Sequence, residues 1–377
     1  MTATDQDRPG TTGRSFPVSG PWAAAMDALP RALFLPDLMW AHDMFTGASE
    51  PVDRRADPDA WGEAAAADIP LVTQWDDGRN SDAQAGTVPT SSASMPSIVA
   101  GMLEDLDASP GMRVLEIGTG TGWNAGLLAH RLGDNAVTTI EVDPAVAEAA
   151  REHLAAAGLH PTVITGDGSA GHPAGAPYDR IIATCGMRHI PHAWIEQLQP
   201  GGVILAPWGT HFENGDALVR LTAAQDGTLA GPFLRPVEFM KMRSQRLTPP
   251  QHPVDFPGDA SVSTTAARPP FGPWKAFPFV AGLRLAGLTH VTDRRGDERV
   301  VWLYGLADKS WAAVVFQDEV ERSTVWQSGP RRLWDEMEAA HDWWQAAGRP
   351  GIDRFGLTVD RDGQHPWLNS PDNRVEP

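Results

Sequence analysis

Val114 to Gly122 reads VLEIGTGTG, a short apolar run that closes on three glycines at alternate positions. A buried parallel strand that ends in a glycine turn and enters a helix has this form. Gly118, Gly120 and Gly122 let the backbone pass close to a ligand where a Cβ would collide. The helix that begins near Trp123 presents its positive end to that ligand. Dinucleotide enzymes use a similar loop, so the glycines alone do not decide the ligand. Glu116, inside the strand end, favours a methyltransferase over a dinucleotide enzyme without closing the choice: its carboxylate repels a pyrophosphate and suits the cationic amino-acid end of S-adenosylmethionine.

The elements that follow keep to the same plan. Ala136 to Glu141 (AVTTIE) is a β-branched run that ends in an acid, placed to accept both ribose hydroxyls of a nucleoside. Asp143 and Pro144 supply an N-cap and an N1 proline for an alanine-rich helix that Gly158 stops. Pro161 to Thr165 is a third strand, followed by Gly166-Asp167-Gly168. Asp167 there either bonds an adenine amino group or belongs to a plain turn. Tyr178 to Ala183 and Val203 to Pro207 are further strands, with a helix over Pro191 to Gln199 between them. Alternating strands and helices of these lengths predict a doubly wound α/β domain.

Composition limits the partners. A formal net charge of −18 over 377 residues argues against nucleic acid or an anionic membrane. The first sixteen residues are polar, so they form no signal peptide or membrane span and are expected to be flexible. One cysteine, Cys185, excludes an internal disulfide and a cysteine zinc cluster, so a reducing cytoplasm is the expected compartment. Its expected role is a buried thiol. No histidine spacing suggests a metal, and no oligomeric state follows from the sequence.

Leu247 to Pro273 carries seven prolines and reads as a linker or strap. Beyond it, Phe279 to Leu288, Val300 to Leu306 and Trp311 to Phe316 read as strands, and Pro330 to Ala347 as an amphipathic helix. Asp362-Gly363 marks a hairpin between Phe355–Val359 and His365–Leu368. Trp302, Trp311, Trp326, Trp334, Trp343, Trp344 and Trp367 crowd this region, either as core or as part of a peptide-binding surface.

Several ordered motifs resemble protein L-isoaspartyl O-methyltransferases. They are Ala28 to Pro36 (ALPRALFLP), Ser94-Met95-Pro96, Gly166-Asp167-Gly168 and Gln197 to Gly202 (QLQPGG). Thr184 to Pro191 (TCGMRHIP) departs from that family, which carries small residues and an acid before Ile-Pro. The long continuation after Val237 also departs from the expected length of a repair enzyme. With Asp68 to Gly78, Thr90 to Pro96 and the tail from Asp353, the chain resembles a narrower group of extended homologues that act on ribosomally made, modified peptides.

The resemblance implies a Rossmann-like class I methyltransferase domain over 17–246, a linker over 247–273 and a smaller α+β recognition unit over 274–377. It implies an S-adenosylmethionine-dependent carboxyl O-methyltransferase whose substrate is an Asp side chain of a macrocyclic precursor peptide, the ester then closing to an aspartimide. Ordinary isoaspartyl repair and small-molecule methylation are the alternatives. The expected cofactor-binding residues are Glu116, Gly118, Gly120, Gly122, Glu141, Asp167 and Gly168. Ser94 is the expected catalytic residue, orienting the acceptor carboxylate or capping the helix after it, with Ser91 and Ser92 as rivals.

Overall fold

The computed structural model describes residues 20–80, 83–272, 274–296, 298–317 and 320–376. The segment before Phe16, expected to be flexible, lies outside the described residues. The chain divides into two compact units, one ending at Gly168 and the other starting at Ser169.

The first unit opens with α1 (Ala23–Ala28) and an antiparallel sheet the sequence did not announce. Its members are β1 (Leu38–His42), β2 (Ser49–Asp53), α2 (Pro58–Ala66) packed beside it, β3 (Leu71–Trp75) and β4 (Pro89–Ala93), in strand order β2-β1-β3-β4. Leu35, Met39, Trp61, Ala65, Leu71 and Ala93 make its small core. Asp57 starts α2 by accepting from the Ala60 amide at 2.9 Å, with Pro58 at the first helical position. The polar stretch 76–89 is tied at its base. The Asp76 carboxylate accepts from the amides of Thr87 (2.9 Å) and Val88 (2.8 Å).

There follow α3 (Pro96–Leu106), β5 (Val114–Ile117), α4 (Trp123–Leu132), β6 (Val137–Glu141), α5 (Pro144–Ala156) and β7 (Thr162–Thr165). All four residues of β5 are buried. The three strands pair in parallel, β6 in the middle. Asp143 caps α5 through the amides of Ala145 and Val146. This is the Rossmann-like α/β arrangement expected from the strand–glycine–helix pattern.

The second unit holds the parallel pair β8 (Tyr178–Ala183) and β9 (Leu198–Trp208), joined through α6 (His192–Gln197). Two antiparallel strands extend it, β10 (Asp216–Ala223) and β11 (Leu229–Val237). A second sheet runs β12-β16-β15-β14-β13, all antiparallel. Its strands are β12 (Ser261–Thr265), β13 (Leu288–Arg295), β14 (Glu298–Gly305), β15 (Trp311–Gln317) and β16 (Ser323–Ser328). The helices α7 (Ala276–Arg284) and α8 (Leu333–Ala346) accompany it, and the hairpin β17 (Phe355–Asp360) and β18 (Gly363–Leu368) ends the unit.

Several expectations change here. The segment 279–288, expected as a strand, lies mostly in α7. Phe277 through Leu283 are all buried, so no helical period shows in the sequence. The proline-rich segment 247–273 is not only a linker, because β12 lies in it and pairs with β16. Nor does 274–377 close on itself. The tail strand β17 pairs with β11, Leu229 facing Val359, and Phe279 of α7 packs edge-on against Phe233 of β11 at 5.1 Å. Trp302, Trp334, Trp344 and Trp367 are buried, whereas Trp311, Trp326 and Trp343 are only partly covered. Cys185 is half-buried, not enclosed.

Candidate functional site

The carboxyl ends of β5, β6 and β7 lie side by side, and each carries an acid or the loop after one. Glu116 stands opposite Thr139 in the register of β5 and β6, and Glu141 opposite Thr165 in that of β6 and β7. Asp167, exposed, follows β7 by two residues. Ligands of open α/β sheets bind at such an edge.

Glu116 is 0% exposed. Thr139 donates from Oγ1 to its Oε2 at 2.5 Å, and Asn124 donates from Nδ2 to its Oε1 at 2.7 Å. The hydroxyl of Thr119 lies 2.6 Å from that of Thr139 and extends the network. Burial pushes the Glu116 carboxyl up to about 7; the Thr139 and Asn124 hydrogen bonds oppose this, and nearby Glu141 adds to it. Glu116 thus holds α4 to β6, a role beyond the ligand contact expected of it.

Glu141 ties the glycine loop. Its Oε2 accepts from the Gly120 amide at 2.9 Å and its Oε1 from the Asp143 amide at 3.1 Å. A carboxylate offers about four lone-pair sites, so acceptor capacity remains for a pair of ribose hydroxyls.

The glycines have separate reasons. All three have positive φ. A Cβ on Gly120 would lie 3.5 Å from the Ser92 carbonyl oxygen, so the end of β4 passes over the loop there. One on Gly122 would meet Ala150 of α5 at 3.3 Å. Gly168 is set by packing: its Cβ would fall 2.5 Å from Ile117 Cγ2.

The loop amides decide between cation and anion. Those of Gly118 and Thr119 donate to the Ile140 carbonyl, that of Gly120 to Glu141, and that of Gly122 to the Thr119 carbonyl. A pyrophosphate loop aims such donors at its ligand. Here they serve the protein, and two carboxylates stand beside them. The donor set therefore fits a cationic nucleoside such as S-adenosylmethionine and does not fit a dinucleotide.

Ser94 lies between β4 and α3, half-buried, and its hydroxyl has no hydrogen-bond partner among the described residues. It does not cap α3. Met95 holds the N-cap position, and the Asp68 carboxylate bonds the Ser97 amide at 2.9 Å instead. Ser91 is buried and accepts from Thr73 at 3.2 Å.

Arg31, from the ALPRALFLP motif, fixes this serine segment. Its guanidinium donates to the carbonyls of Ala64, Ala65, Ala67, Ile69 and Ser94 at 2.7–3.1 Å. Burial lowers its pKa to about 10, partly offset by the charge of Asp68.

Thr139, Thr119, Asn124 and Gln74 were not expected at the site. Thr139 had a readable signal, sitting two residues before Glu141 and hence on the same face of the strand. Gln74 had none, since it reaches Asp143 (3.1 Å) from another sheet. His192 pairs with Glu196 on the surface. Among the described residues, no group of His, Cys, Asp and Glu is arranged to hold a metal, and no helix is long and apolar enough to cross a membrane.

Comparison with known proteins agrees with this geometry. Residues 22–247, more than half of the chain, match the family described as protein-L-isoaspartate(D-aspartate) O-methyltransferase. The protein-L-isoaspartate O-methyltransferase of Pyrococcus horikoshii is 45% identical over 138 residues, 36% of this chain and 61% of its own length. That of Hyperthermus butylicus is 44% identical over 159 residues, 40% of this chain and 65% of its own. The chain thus spans about three fifths of the length of these curated relatives. A solved protein-L-isoaspartate O-methyltransferase superposes with a TM-score of 0.53 at 22% identity, over 94% of this chain and 96% of its own. Matching sequence over more than half its length, the chain belongs to the protein-L-isoaspartate(D-aspartate) O-methyltransferase family.

Proposed function

We propose that the protein is an S-adenosylmethionine-dependent carboxyl O-methyltransferase that esterifies isoaspartyl carboxylates in protein or peptide chains. The observation that carries this reading is the row of Glu116, Glu141 and Asp167 at adjacent strand ends, with the serine-bearing end of β4 over the glycine loop. When bound, S-adenosylmethionine supplies an electrophilic methyl group on a sulfonium. The chain's own residues need little acid–base chemistry, because a carboxylate is ionised at neutral pH. Glu141 holds the ribose end, Asp167 the adenine, and a cation nearby favours the ionised form of the Glu116 carboxyl, which burial raises to about 7. The Ser94 hydroxyl orients the acceptor carboxylate, and positioning with exclusion of water accounts for the rate. The ester then reacts with the amide nitrogen of the next residue: an N–C bond forms, the C–O bond breaks, and methanol leaves as a succinimide closes.

A second reading, the finer one suggested by the sequence, has an aspartyl side chain of a macrocyclic peptide as the acceptor. One observation favours it. In the segment 184–191, where the sequence departs from the family pattern, Arg188 donates to the buried Asp216 at 2.6 Å. Mass spectrometry separates the two on one enzyme sample. A linear isoaspartyl peptide that gains a methyl group supports the first. Methylation confined to a cyclic aspartyl peptide, ending one water lighter, supports the second. Methylation of neither overturns both.

A further inference from the structure

The serine segment that ends at Ser94 is fixed from two sides, and the two anchors do different work. Arg31 holds the Ser94 carbonyl at 3.1 Å, and its other partners are carbonyls between Ala64 and Ile69. None of those partners lies on the parallel strands that carry Glu116 and Glu141. Arg31 therefore places the serines relative to α2 and the small antiparallel sheet. Gln74 of β3 places that sheet relative to the cofactor acids. Its Nε2 donates to Asp143 Oδ2 at 3.1 Å, and the Asp143 amide donates to Glu141 Oε1 at 3.1 Å. All of these residues belong to the first unit.

The pairing of β3 with β4 explains how Gln74 comes to point there. Val72 faces Ser92, Gln74 faces Ser91 and Trp75 faces Pro89, so the register slips on both sides of Gln74 and leaves Thr73 and Thr90 as surplus residues. Irregularities of this kind re-aim the side chains beside them. Both surplus threonines are put to use. Thr73 donates to Ser91 Oγ at 3.2 Å. Thr90 donates to Gln74 Oε1 at 2.8 Å and accepts from the Asp77 amide at 3.1 Å. With its oxygen turned to Thr90, the Gln74 amide presents its NH2 to the Asp143 carboxylate, which can only accept. Gly78 leaves room for this: a Cβ there would lie 3.1 Å from Gln74 Nε2. The contacts close a circuit. The Ser92 carbonyl lies over Gly120, the Gly120 amide donates to Glu141, and the chain runs on through Asp143 and Gln74 to Thr90, on the same strand as Ser92.

We infer that Gln74 is a positioning residue for methyl transfer: it sets the distance between the serine segment that orients the acceptor and the end of β6 that carries Glu141. It acts through Thr90 on one side and Asp143 on the other. The inference rests on the carboxyl-methyltransferase reading for its effect on rate, though not for the tie itself. In that reading an acceptor oxygen bonds the methyl carbon as the sulfur–carbon bond breaks, with the electron pair staying on sulfur. The acceptor must therefore lie in line with that bond, and a displacement of about 1 Å costs about a hundredfold in rate. Arg31 cannot prevent such a displacement, because it moves with the sheet it holds.

Gln74→Leu keeps the size of the side chain and removes both hydrogen bonds. On the isoaspartyl or cyclic aspartyl peptide that the wild type methylates, kcat should fall by about tenfold to a hundredfold. The peptide KM and the calorimetric affinity for S-adenosylmethionine should stay within about threefold. Hydrogen exchange of the cofactor-free protein needs no turnover; it should quicken by about tenfold over residues 89–93 and hold steady over Val137–Glu141. Gln74→Glu sets two carboxylates against each other and should be at least as slow. Gln74→Glu/Asp143→Asn reverses the bond, since the new amide donates to the new carboxylate while Thr90 keeps an acceptor and α5 a cap. That double variant should return kcat to within about threefold of the wild type and restore slow exchange. If Gln74→Leu does not fold, the contrast between Gln74→Glu and the double variant decides. Wild-type kcat in a folded Gln74→Leu, unchanged exchange over 89–93, or a double variant that regains its Tm but not its rate overturns the inference. A wild-type enzyme that methylates neither peptide refutes the methyltransferase reading instead, and the exchange measurements then judge the tie alone.

Discussion

At the scale of single residues, Glu116 is the most exposed to test, because its surroundings work against its own charge. Its carboxyl sits at about 7 against an ordinary value of 4.5, with burial the main cause. Between those two pH values the folded protein keeps a proton that the unfolded chain has released. The contribution of this group to stability therefore falls as pH rises through that window. Glu116→Gln, which cannot ionise, should gain in Tm on the wild type between pH 5 and pH 8 in cofactor-free protein, by the equivalent of a few kcal/mol at most. Parallel Tm curves for the two proteins would show that Glu116 ionises without penalty. Glu141 makes a different prediction. Glu141→Ala removes acceptors for the ribose and the tie to Gly120, so calorimetry should show S-adenosylmethionine binding weakened by about 1–3 kcal/mol. Ser94→Ala should leave that affinity intact and slow methylation. A wild-type rate there, with a slow Ser92→Ala enzyme, would move the acceptor-orienting role to Ser92.

At the scale of elements, Arg31 shows how one side chain holds a sheet, a helix end and a serine together. Three of its carbonyl partners, Ala64, Ala65 and Ala67, belong to the C-terminal turn of α2, which ends without a basic residue of its own. Arg31→Lys replaces a planar fork by a point charge and leaves several of those carbonyls unpaired. A loss of about 3 kcal/mol or more in urea unfolding is expected, together with slower methylation, because Ser94 loses its anchor. The site around β5, β6 and β7 was readable because its residues are close in sequence and each sits at a strand end. The helix after Asp143-Pro144 and the tail hairpin around Asp362-Gly363 were readable for the same local reasons. Three features were not. The sheet β1–β4 is short-stranded, with mixed burial and no clean alternation. The helix α7 is apolar on every side, so it matches a strand template as well as a helical one. The cap on α3 comes from Asp68, twenty-nine positions before the amide it bonds, a distance over which no local pattern extends.

At the scale of the molecule, the expected division into a catalytic domain and an appendix gives way to a more entangled arrangement. Because β17 is hydrogen-bonded to β11, removal of the chain after Arg349 uncovers Leu229 to Pro232 as a free sheet edge. Such edges pair with other chains. The truncated protein should therefore aggregate, which size-exclusion chromatography would reveal. A monomeric truncation with wild-type Tm would show instead that the hairpin is dispensable. The same pairing has a consequence in time. During synthesis β11 leaves the ribosome well before its partner, with more than a hundred residues between Val237 and Phe355 still to be made. At the usual rates of elongation that is an interval of roughly ten seconds. Throughout it the nascent chain carries an open strand flanked by apolar residues. The hairpin of β17 and β18, translated after the whole of the second sheet, thus completes the first sheet begun in this unit, and growth conditions that slow elongation over codons 238 to 354 should lower the soluble yield more than an equal delay after codon 368.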